Sequence, residues 1–74
     1  MSCNTYTHMT DSLRFALMIC SLAEMARRCE AWSNVCSGTL LEQLYLVLVD
    51  GIESGDEAAA RVLARIIINR MEAA

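Results

Sequence analysis

Between Leu13 and Cys36 the chain carries apolar residues on too many sides of one helix for that helix to stand alone in water. Phe15, Leu22, Cys29 and Cys36 recur every seven residues, with Met18, Met25 and Trp32 at +3 and Ile19 and Ala26 at +4. On an α-helix this spacing makes one continuous stripe. Leu13, Ala16, Leu17, Cys20 and Ala23 add a second stripe on its flank, leaving water a narrow band through Arg14, Ser21, Glu24 and Arg28. A helix apolar around most of its girth must be enclosed on several sides. The expectation is that a second copy of the chain supplies part of the enclosure.

Residues 1–10 are polar and aperiodic, with Asn4, Thr5, Thr7 and His8, and read as a flexible N-terminal arm. Thr10 or Asp11 then caps a first helix over about 12–36, which Asn34, Ser37 and Gly38 close. Thr39 and Glu42 form a T-x-x-E capping box that opens a second helix over about 40–53. Its inner face is Leu40, Leu41, Leu44, Val47, Leu48 and Ile52. The run from Leu44 to Val49 is also rich in β-formers and precedes Asp50-Gly51, but no second strand exists to pair with it, so helix is the reading kept. A third helix over about 56–72 starts on acidic Asp56 and Glu57. It buries Ala60, Leu63, Ala64, Ile67 and Met71, with Val62 and Ile66 broadening that face.

The fold class expected is therefore all-α: a long N-terminal helix and a shorter helical hairpin, three helices in one domain over 11–74. At 1.5 Å per residue the first helix spans about 36 Å and the others ~20 to 25 Å, so the hairpin cannot cover it. For a chain of this size the hydrophobic gain and the ordering cost nearly cancel, at about 110 kcal/mol each. Both considerations point to a homodimeric helical bundle, with Phe15, Met18, Ile19, Leu22, Met25, Cys29 and Trp32 as the self-association surface.

Function classes narrow by chemistry. The net charge is −3, and the basic residues are six arginines with no lysine. No uncharged apolar run approaches the ~20 residues of a membrane span, and no basic segment precedes a signal-like core. The chain reads as soluble and cytoplasmic. Cys3, Cys20, Cys29 and Cys36 lack the close pairing of zinc ligands and read as small buried residues, with a reactive Cys3 or an intersubunit disulfide as the alternative. His8, the single histidine, has no base-and-nucleophile setting around it. Asp11-Ser12-Leu13 resembles the tripeptide on which acyl carrier proteins bear phosphopantetheine. In that family a full helix precedes the serine, so the match is set aside.

No catalytic residue, metal ligand or cofactor site is expected. The function read from the sequence is non-enzymatic: a small self-associating protein that binds a larger protein as an adaptor or inhibitor, of the kind found among phage and bacterial accessory factors. One alternative is a small export chaperone that covers an apolar helix of its client. Another is a dimeric DNA-binding regulator using Arg61 and Arg65, against which the acidic Asp50, Glu53 and Asp56 count.

Overall fold

A computed structural model describes residues 3–73, with side chains from Thr5 onward; the expectation of a reactive Cys3 thiol lies outside the described residues. Among these residues there is no strand. Four helices follow one another: α1 (Cys3–Ile19), α2 (Leu22–Ser33), α3 (Thr39–Ser54) and α4 (Glu57–Ala73). Each packs on its chain neighbours, and α4 returns to α1, closing a four-helix ring. The segment from Leu44 to Val49 is helical, so the strand alternative falls away.

The long first helix is a correction. It is broken at Cys20–Ser21, and α1 folds back along α2, so that Tyr6 and Met9 line the same small cavity as Cys36 to Leu41. The physical reason lies in the two apolar stripes. Above the break α1 turns one of them inward through Leu13, Ala16 and Leu17; below it α2 turns the other inward through Leu22, Met25 and Cys29. One straight helix cannot bury both stripes against one hairpin. Two short helices, rotated about their axes relative to each other, can.

Residues 3–10, expected as an arm, instead form the first half of α1. Met9 and Thr10 are buried there, and the Thr10 hydroxyl donates to the carbonyl of Thr7 at 3.0 Å rather than capping a helix start. That bond satisfies the hydroxyl in an apolar setting, where an unpaired one is costly. On α4 the buried residues are Ala60, Ala64, Ile67, Ile68 and Met71, whereas Leu63, Val62 and Ile66 stay exposed. The inward face is thus turned toward Ile68, because α4 must meet α1 as well as α3. On α3 Leu41, Leu44 and Leu48 are buried, while Ile52, expected inside, is exposed.

The bundle has a radius of gyration of 11.3 Å and a surface of 4616 Å². A folded monomer of this length and mass has about 11 Å and about 4,500 Å². A single copy therefore reaches ordinary compactness by folding the long segment back on itself.

Candidate interaction surface

Glycine and aspartate determine the turn between α3 and α4. Gly55 sits at φ +80°, in the left-handed region, and its N–H donates to the carbonyl of Gly51 at 3.0 Å. Asp56 follows, its carboxylate accepting from the backbone N–H of Ala59 at 3.2 Å. Gly51 lies where α3 and α4 cross. A Cβ built there would overlap that of Ala60 and come within 3.1 Å of the Leu22 Cδ1.

The turn between α1 and α2 is built differently. Ser21 caps α2, its hydroxyl accepting from the Glu24 N–H at 3.2 Å. At the end of α1, the Arg61 guanidinium from α4 donates to the carbonyl of Leu17 at 2.7 Å and to that of Cys20 at 2.8 Å. Glu57 holds the same guanidinium through Nε and a terminal nitrogen, at 2.9 and 2.8 Å. Arg61, named above only as a DNA contact of the regulator alternative, is thus half-buried and serves as the C-terminal cap of another helix. Farther along the α1–α4 seam, Arg14 grips Glu72 with two nitrogens and donates to Asn69 at 2.7 Å.

The seven residues expected at a self-association surface divide between two places. Leu22, Met25 and Cys29 are 5, 0 and 1 % exposed, buried by the chain's own helices, and Trp32 packs partly against that core. Within the single chain Leu22, Met25 and Cys29 are thus covered by its own helices, with α2 packed on α1 and α3, while Trp32 keeps part of its surface in solvent. Phe15, Met18 and Ile19 are 56, 74 and 62 % exposed. At i, i+3 and i+4 they share the outward face of α1, on the stripe that the break leaves without a partner.

A second concavity, about 500 Å³, runs between α2 and α3. Glu30 and Ser33 stand on the α2 side and Glu42 and Tyr45 on the α3 side, above an apolar floor that includes Leu41 and Cys29. Neither Glu30 nor Glu42 forms an ion pair among the described residues. Burial pushes the Cys29 thiol from an ordinary 9.0 up to about 12, so it stays protonated and is a poor nucleophile. On the α2 surface the hydrogen bonds from Arg27, and next from Arg28, hold the Glu24 carboxyl below the usual carboxylate range.

Other singled-out residues fall apart in space or role. His8 is exposed on α1, and Ser12 sits in mid-helix rather than at a helix start. Arg14, Arg27, Arg28 and Arg61 are all engaged in ion pairs, so the arginine count overstates the free positive charge. No helix among the described residues is long and apolar enough to cross a membrane. No family model matches the chain, and no curated protein or solved structure is significantly similar to it.

Proposed function

We propose that this chain is a non-enzymatic binding protein that pairs with a second copy of itself and acts by contact with a larger protein, as an adaptor or inhibitor. The observation that carries the reading is the outward face of α1, where Phe15, Met18 and Ile19 stand more than half exposed and side by side. Three large apolar side chains in one patch favour burial by association. The groove between α2 and α3 supports the second half of the reading. Its carboxylates, Glu30 and Glu42, flank an apolar floor, which suits a segment with apolar and basic side chains. The protonated Cys29 at that floor is itself a poor nucleophile.

Sedimentation velocity across a concentration series tests the pairing. The parent chain moves from monomer to dimer as concentration rises. Met18→Glu remains monomeric while keeping its helical circular dichroism, because the position faces solvent in the single chain. A parent chain that stays monomeric up to about 1 mM, where even a weak complex at ~4 kcal/mol would show, overturns the reading.

A further inference from the structure

The break at Cys20–Ser21 has the attributes of a hinge with two satisfied states. In an unbroken helix the carbonyl of Leu17 would accept from the N–H of Ser21, and that of Cys20 from the N–H of Glu24. In the observed bend Arg61 donates to both carbonyls, and the Ser21 hydroxyl takes the Glu24 N–H. The bend therefore exchanges these helix bonds for tertiary and capping ones. Apart from the Ser21 cap nothing local enforces it: residues 18–24 read Met-Ile-Cys-Ser-Leu-Ala-Glu, without glycine or proline. The apolar stripe also runs through the break without a change of phase, since Phe15, Met18, Leu22, Met25 and Cys29 are spaced 3, 4, 3 and 4 apart. The connection is only two residues long, and short hinges favour exchange of elements between copies.

We infer that the partner which α1 fits is the same seat on a second copy of this chain: α1 and α2 straighten into one helix, and each copy lays its α1 against the α2 and α4 of the other. The straight helix over residues 3–33 is about 46 Å long. The contacts that α1 makes away from the hinge are kept, including Arg14 with Glu72, but they now join two chains, while Arg61 gives up the carbonyls of Leu17 and Cys20 to the helix bonds. The exposed Phe15, Met18 and Ile19 lie close to the hinge, where the two extended helices pass each other, and gain cover there. The inference rests on the self-association proposed above and specifies its mode.

Charge reversal at the α1–α4 seam tests it. Both Arg14 and Glu72 are solvent-accessible, with side chains 34 and 40 % exposed, so Arg14→Glu and Glu72→Arg leave the core intact. Each variant alone sets like charges against each other. In an exchanged heterodimer both seams regain opposite charges, Glu against Arg in one and Arg against Glu in the other. Native mass spectrometry of an equimolar mixture should show heterodimer about fivefold above its statistical share, as expected for two restored surface pairs. Dimers that mix statistically contradict exchange while leaving self-association standing. A mixture with no dimer at all overturns the self-association reading and the exchange with it. Ser21→Pro is the second arm. Proline suits the observed φ of −71° at the cap but not the interior of a helix, so it should lower the dimer fraction at least tenfold. An unchanged dimer fraction contradicts the straightened helix.

Discussion

The two tight turns of this bundle solve one problem in opposite ways. Between α3 and α4 the instructions are local: Gly55 in the left-handed region, Asp56 as cap, and Gly51 thinning the crossing. Between α1 and α2 the apolar stripe favours continuation, the one local stop is the Ser21 cap, and the bend is held by Arg61, reaching from 41 and 44 residues downstream in the chain. A turn written in its own residues should survive changes elsewhere. A turn imposed from a distance should fail when the distant group is removed.

Gly51→Ala should be the most damaging change, at about 3 kcal/mol, because the added methyl meets both Ala60 and Leu22 in a packed crossing. Thermal unfolding should register this as a fall of over 10 °C at the roughly 4–8 °C per kcal/mol of a domain this size. Arg61→Ala comes next at about 2 kcal/mol, since it strips the charged donor from two helix-end carbonyls. Its diagnostic is where the loss falls: amide exchange should quicken in α1 while α3 stays protected. Arg61→Lys should rescue only part, because one ammonium cannot reproduce a planar fork that spans two carbonyls and Glu57. Gly55→Ala should cost about 1 kcal/mol through its positive φ, measured by urea titration.

Smallest near neutral pH are the titration effects. The pKa of Cys29 is raised on folding, so its contribution is intact below about pH 9 and declines as pH climbs from there toward about 12. Alkylation of the native protein at pH 8 should spare Cys29 while modifying the half-buried Cys20 and Cys36, all three being free thiols. Glu24 behaves in the opposite sense. Its lowered pKa adds stability above the ordinary carboxylate range that fades as pH falls through the folded value, and solvent screening at the helix surface keeps the effect slight.

The same contrast explains what the sequence revealed. The all-helical class and the extent of α3 and α4 follow from periodicity and turn chemistry, which are local. The S/T-x-x-E spacing of a capping box occurs three times, at Ser21, Thr39 and Ser54, and only the first of these side chains caps its helix as the motif implies. Thr39-x-x-Glu42 is not used, because Gly38 occupies the cap position and no side chain closes it. Ser21-x-x-Glu24 marks the true break, and only half of the box forms: Ser21 accepts from Glu24, whose carboxylate turns instead to Arg27 and Arg28. That motif was the available signal for the fourth helix, masked by an apolar stripe running unbroken through it. Arg61 could not be foreseen as a cap, since its role depends on which carbonyls another helix leaves open. For the candidate surface, Phe15, Met18 and Ile19 were legible as apolar excess. Leu22, Met25 and Cys29 shared their stripe but moved inside once the helix bent.

The bend itself is the claim on which the account turns, and one distance decides it. Spin labels at the exposed positions His8 and Val35, in a variant with the native cysteines replaced by alanine or serine, would stand about 40 Å apart on a straight helix. With α1 folded back along α2, dilute monomer should give a separation well under half of that. A distribution centred near 40 Å in the monomer would contradict the broken helix, the Arg61 cap and the surface derived from them.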